Sequence, residues 1–200
     1  MKKYLLSTIA VLTALTVGTA ANAQMSNSMS HMYLRADAGW SIGASETEEA
    51  AVFDIGVGSR LNQYFRTELV GEVRPWGKQT FKDNHVKVAK PDMYSLDAMM
   101  NVALEYPVWN KMSVYAIGGV GYAYNKTDSY RGLYKGEGKH NFAWNVGAGV
   151  QYALTNCISL DLGYRFADLG NARAKNVETG AKIKEDVKYN DIKIGMQYFF

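Results

Sequence analysis

The stretch Tyr94–Tyr106, YSLDAMMNVALEY, decides the fold. Tyr94, Leu96, Ala98, Met100, Val102, Leu104 and Tyr106 occupy one phase. Ser95, Asp97, Met99, Asn101, Ala103 and Glu105 occupy the other. A period of two belongs to a strand whose faces meet different surroundings. Polar residues at every second position interrupt any i, i+3, i+4 stripe, so a helix fits poorly.

The same period extends in both directions. Upstream, Met32, Leu34, Ala36, Ala38 and Trp40 alternate with Tyr33, Arg35, Asp37 and Gly39. Phe53, Ile55 and Val57 alternate with Asp54, Gly56 and Gly58. Phe65, Thr67, Leu69 and Val73 stand against Arg66, Glu68, Glu72 and Arg74. Downstream, Val114, Ala116, Val120 and Tyr122 are expected outward, with Tyr115, Gly119 and Gly121 inward. Phe142 to Tyr152, Ile158 to Phe166 and Ile192 to Phe200 continue the pattern. Eight segments of roughly 9–13 residues result, the length of a tilted transmembrane strand.

Connections alternate in length. Leu61–Gln63, Pro107–Lys111 and Leu154–Asn156 are short. Ser41–Ala50, Pro75–Met93, Asn125–His140 and Ala167–Val187 are long and polar. Short turns on one side and long loops on the other describe an eight-stranded antiparallel up-and-down transmembrane β-barrel. Its termini and short turns are expected in the periplasm, and its four long loops outside the cell.

Residues 1–23 carry the compartment signal. Lys2 and Lys3 precede an apolar run from Leu5 to Val17, and Ala21-Asn22-Ala23 supplies small residues for cleavage. This is expected to be a signal peptide, followed by a short periplasmic segment, 24–30, and the barrel, 31–200. The formal charge of +3 falls to +1 once the two leader lysines are removed, which gives no footprint of a nucleic-acid binder. One Cys among 200 residues excludes an intramolecular disulfide framework and a Cys-cluster metal site. Cys157 itself reads as a small apolar residue at a strand start.

The two phases differ in size. Gly, Ala, Ser and Asn fill the polar phase beside charges. Large side chains fill the apolar phase, with Trp40, Tyr94, Tyr106, Trp109, Trp144, Tyr152 and Tyr198 near strand ends. Aromatics at both edges of an apolar band match interfacial girdles, so the apolar phase is expected to face lipid. A soluble sandwich or lipocalin-like barrel would bury that phase instead. By parity the lumen receives Asp37, Asp54, Glu68, Glu72, Asp97, Glu105, Asp161 and Asp191, with Arg35, Arg60, Arg66, Arg74, Arg165 and Lys193. Isolated buried charges cost several kcal/mol each, so a cross-strand ion-pair network is expected. An eight-stranded barrel is just wide enough for side chains to fill it, which favours a packed core over a conducting pore.

Several stretches now point to a family. Asn141–Gly170, NFAWNVGAGVQYALTNCISLDLGYRFADLG, resembles the penultimate hairpin of small opacity-type outer-membrane proteins of Gram-negative bacteria. Val114–Tyr124, VYAIGGVGYAY, resembles their fifth strand, and Tyr189–Phe200, YNDIKIGMQYFF, their last. Met196, Tyr198 and Phe200 resemble the terminal signal read by the barrel-assembly machinery. The resemblance implies a cell-surface barrel. Family members range from structural proteins to adhesins and immune-evasion factors, and many are loosely called porins, so fold alone does not assign function.

A search for chemistry finds little. His31, His85 and His140 have no Ser and carboxylate in phase for a triad, and Ser129 and Glu137 share only a loop. Gly118–Gly121 follows strand periodicity and opens no helix, so it is no nucleotide fingerprint. No cofactor is expected. The loops remain. Loop one carries Glu46, Glu48 and Glu49. Lys78, Lys82, Lys87 and Lys90 outnumber Asp83 and Asp92 in loop two. Lys126, Arg131, Lys135 and Lys139 outnumber Asp128 and Glu137 in loop three. These bases, beside Trp76, Phe81, Tyr130 and Tyr134, are candidates for lipopolysaccharide phosphates or acidic host glycans. Loop four is expected to form a hairpin beyond the membrane, turning near Gly180.

The resulting expectation is a monomeric, non-enzymatic outer-membrane barrel with a structural and adhesive surface role. Its partners would be outer-membrane lipid, lipopolysaccharide, the assembly machinery and an extracellular ligand. A narrow passive pore for ions or small solutes is the rival reading, and an outer-membrane lipid enzyme a third.

Overall fold

The computed structural model describes residues 32–44, 49–78, 81–83, 86–89, 92–127, 134–176 and 182–200. They form strands and no helix: β1 Met32–Gly43, β2 Ala50–Arg60, β3 Phe65–Lys78, β4 Phe81–Asp83, β5 Val86–Ala89, β6 Asp92–Trp109, β7 Met112–Thr127, β8 Tyr134–Ala153, β9 Ile158–Asn176 and β10 Lys182–Phe199. Eight of them close into a barrel in the order β1-β10-β9-β8-β7-β6-β3-β2, and β4 and β5 form a separate two-stranded hairpin. All barrel pairings are antiparallel, and closure pairs β1 with β10 from Tyr33↔Phe199 to Gly43↔Tyr189. Closure pairs β1 with β10 and so removes the open edge from the barrel wall, as a membrane-spanning sheet requires.

The pleat carries the alternation through. Outward Tyr122 is 73% exposed and Ile194 62%, whereas inward Asp191 and Arg74 are 0% exposed. That is a soluble protein turned inside out. An apolar belt of this extent is stable only against lipid. In the Gly-rich segment, where small residues fill both phases, Val114, Ala116, Val120 and Tyr122 point out and Tyr115 points in, as expected.

Strand lengths depart from those expected. β6 runs through Pro107 to Trp109, so its turn is only residues 110–111. At the opposite end β8, β9 and β10 reach 20, 19 and 18 residues, well beyond what a bilayer needs. His140 therefore lies within β8 and not at its outer end. Alternation of hydrophobicity stops where lipid stops, but backbone pairing continues into the loops. The fourth long connection is a β9–β10 hairpin paired as far as Lys175↔Lys182; its turn, with Gly180, lies outside the described residues.

One segment breaks the period of two. Leu169 and Ala172 of β9 are both fully buried though three residues apart. Gly170 between them has φ of 75°, a left-handed conformation that disfavours a side chain. Its N–H donates to Asp168 Oδ1 at 3.0 Å. The β8–β9 ladder jumps here from Trp144↔Asp168 to Glu137↔Arg173. Side-chain amides replace the missing backbone bonds: Asn125 Nδ2 donates to Leu169 O at 2.8 Å and Asn141 Nδ2 to Asn171 O at 2.9 Å.

Candidate functional site in the lumen and at the hairpin end

The lumen holds two ionic clusters, one above the other. Nearer the short turns, Arg66 Nη1 donates to Glu105 Oε2 at 3.0 Å and to Gln151 Oε1 at 2.7 Å. Its Nε lies 3.2 Å from Glu68 Oε1. Arg35 contacts Asp37 and Glu68, and stands 3.9 Å from Asp161. Two tyrosines complete the cluster. Tyr33 Oη donates to Glu68 at 2.7 Å and Tyr115 Oη to Asp161 at 2.9 Å. The Arg66 guanidinium stacks 4.5 Å from the Tyr115 ring centroid. A Cβ on Gly149 or Gly163 would collide with Tyr115 Oη, so the Gly-rich wall makes room for this phenol.

The second cluster centres on Arg74 and Lys193. Arg74 donates to Asp97 at 3.0 Å, to Asp191 at 2.6 Å and from Nε to Ser41 Oγ at 3.1 Å, and also pairs with Glu72. Lys193 Nζ donates to Asp54 at 2.8 Å and to Glu72. Arg35 Nε, 3.8 Å from Asp54, links the clusters. Arg165 is buried, and with Arg35, Tyr115, Asp161 and Lys193 it lines a cavity of about 10 Å³, room for one water. Arg60 sits at the rim with its side chain 35% exposed, 3.4 Å from Glu105 and over the Phe199 ring.

Above the second cluster the lumen turns apolar. Ala50, Met99, Ala123, Ala143, Ala167, Leu169, Ala172, Val187 and Tyr189 form one buried cluster, and Arg74 lies beneath the Tyr189 ring at 4.8 Å. The polar phase of the sequence predicts a polar lumen throughout, and this stretch departs from it. Parity places Val187 and Tyr189 inside, but Leu169 and Ala172 enter through the Gly170 irregularity, which has no periodic signal.

Six of the eight basic loop candidates sit in strands and not in loops. Lys78 ends β3, Lys82 lies in β4, Lys87 in β5, Lys126 in β7, and Lys135 and Lys139 in β8. Lys90 and Arg131 lie outside the described residues. Lys139 is half-buried and contacts Asn171. Met196, Tyr198 and Phe200 all face outward at the end of the chain, where Phe200 N–H donates to Met32 O at 3.2 Å. Cys157 is exposed in the turn before β9. Among the described residues no group of His, Cys, Asp and Glu is arranged to hold a metal.

The family model of the outer membrane protein beta-barrel domain matches residues 8–200. The chain belongs to that family. Membership places the barrel in the outer membrane. Over 102 residues it is 28% identical to the 31 kDa outer-membrane immunogenic protein of Brucella melitensis, covering 48% of this chain and 42% of that protein. Over 87 residues it is 31% identical to the outer membrane protein PagN of Salmonella typhimurium, covering 40% of this chain and 34% of that protein. The chain thus spans less than half the length of these relatives. Among solved structures, Neisserial surface protein A aligns with a TM-score of 0.64 at 18% identity, covering 84% of this chain and 97% of that one. OprG from Pseudomonas aeruginosa aligns at 0.65 and 10% identity, covering 86% and 98%. At these identities the likeness is one of fold.

Proposed function

We propose that this is a non-enzymatic, monomeric outer-membrane barrel that presents its four long connections outside the cell for structural and adhesive contact. Residues 1–23 would be cleaved on export, leaving 24–30 and both chain termini in the periplasm. Met196, Tyr198 and Phe200 would be read by the assembly machinery. The bases at the hairpin end would meet anionic lipopolysaccharide or an extracellular ligand.

The observation that carries this reading is the filled lumen. Two ionic clusters and an apolar cluster succeed one another along the axis, and the cavity beside Arg35 and Lys193 has a volume of only about 10 Å³. Arg35, Arg66 and Arg74, each buried and paired with acids on other strands, stand in the way of a hydrated ion. The barrel therefore acts as a rigid stem, and contact with a partner falls to the hairpin end. One relative's name is that of an immunogenic outer-membrane protein.

The test is single-channel current from the chain beginning at Gln24, refolded and inserted in a planar bilayer. Silence from protein that is heat-modifiable on a gel is expected. Reproducible steps that change in Arg66→Gln or Glu68→Gln would replace this reading with a narrow pore. An altered lipid A profile in expressing cells would replace it with a lipid enzyme.

A further inference from the structure

The eight neighbour pairings of the barrel are not alike. Seven join strands that follow one another along the barrel's chain, and the eighth, β1 with β10, joins its two ends. No turn holds that seam. Its residues meet over the longest loop the barrel closes, which carries the largest closure entropy. The seam also lies among the shortest strands. β1 has 12 residues, β2 11 and β3 14, whereas β6 and β10 have 18, β7 16, β8 20 and β9 19. The ladder of β2 with β3 runs only from Phe53↔Val73 to Arg60↔Arg66. With the fewest ladder bonds to break and no turn to hold it, this arc is where local opening of the wall is easiest.

The ion pairs gather over the same arc. Lys193 of β10 reaches past β1 to Asp54 of β2 at 2.8 Å and to Glu72 of β3. Asp191 of β10 meets Arg74 of β3 at 2.6 Å. Arg35 of β1 reaches back past β10 to within 3.9 Å of Asp161 on β9. Each of these contacts joins side chains from opposite sides of the seam, and every one of those residues is buried. The wall across the lumen is built otherwise. From Ser113 to Asn125 on β7 and from Asn141 to Ala153 on β8, the inward phase holds no charged residue. β7 and β8 instead share an unbroken ladder from Met112↔Tyr152 to Lys126↔Gly138.

We propose that Lys193–Asp54, Lys193–Glu72, Arg74–Asp191 and Arg35–Asp161 form a latch across the β1–β10 seam. They clasp the two ends of the barrel from inside, and their loss opens the seam before the rest of the wall. Parting β1 from β10 pulls these pairs apart and strands charges in a dry interior. It also turns unpaired backbone groups toward lipid. Opening the seam therefore costs its ladder and its ion pairs together. The latch does not depend on the surface-contact reading.

The test uses the whole refolded barrel in nanodiscs of neutral phosphatidylcholine, with amide hydrogen exchange as the readout. Lys193→Met/Asp54→Asn removes one charge of each sign, and Arg74 still serves Glu72. Exchange of the amides that β1 and β10 bond to each other should rise at least tenfold over wild type. Exchange from Val114 to Val120 on β7 should stay within twofold. Leu169→Ala, which leaves the ion pairs in place, should show no such preference for the seam. A disulfide from Ala36→Cys/Met196→Cys, directly opposite across the seam, should restore slow exchange in the charge variant. One from Ala116→Cys/Ala148→Cys, opposite on β7 and β8, should not. Both bridges are made together with Cys157→Ser. Equal acceleration in the two walls, none at the seam, the same seam preference in Leu169→Ala, or no difference between the two bridges overturns the latch. If the charge variant does not fold, the bridged forms decide. Folding regained under the β1–β10 bridge alone supports the latch, and folding regained under both bridges or neither overturns it.

Discussion

The cations of this barrel live in two opposite environments. Inside, Arg74 is fully buried and touches Glu72, Asp97 and Asp191, and Lys193 touches Asp54 and Glu72. At the hairpin end, the backbone register sets Lys135 opposite Lys175 and Lys175 opposite Lys182. The same residue class therefore does two jobs. Buried charges are matched because an unmatched one costs several kcal/mol in a dry interior. Water screens charges where the lipid ends, so a fold can tolerate like neighbours there.

The sharpest way to break this contrast is Arg74→Met. It leaves three carboxylates facing one another in the lumen, and the expected loss is about 3–5 kcal/mol. Urea unfolding in detergent, followed by gel mobility, would measure it. A midpoint unchanged from wild type would show that the lumen charges are hydrated and that the two environments do not differ.

Lys193→Met should cost somewhat less, about 2–4 kcal/mol, since Arg74 still serves Glu72. Adding Asp54→Asn and Glu72→Gln should recover at least half of it. Failure of that rescue would mean that Lys193 acts through packing alone. Leu169→Ala probes the apolar stretch of the lumen and should cost about 2–4 kcal/mol. Because the ionic clusters lie below it, the bilayer should stay silent; steps in this variant would make the apolar cluster the seal.

The smallest effect carries the opposite sign. Lys175→Gln should stabilise the fold by up to about 0.5 kcal/mol at low salt, because it removes a charge flanked by two like charges. A loss there would place Lys175 with the buried cations.

Part of this arrangement is legible in the sequence. Asp37, Asp54, Glu68, Glu72, Asp97, Arg66 and Arg74 are in phase with the inward positions of their strands, and parity alone puts them on one face. The apolar cluster is not legible in full, because Leu169 and Ala172 reach the lumen through a left-handed glycine and a ladder jump. The basic rows are hidden too. Composition shows lysines in the third and fourth long connections, but not that Lys135 lies opposite Lys175.

By itself the sequence determined the strands, the faces they present and the membrane they suit. Those follow from a two-residue period, which each strand expresses locally through its pleat. Only the tertiary structure decided the partners. Arg74 meets Asp191 across 117 residues and Lys193 meets Asp54 across 139. Such meetings depend on the stagger at which eight strands close on themselves, and that is a property of the whole ring and of no single segment.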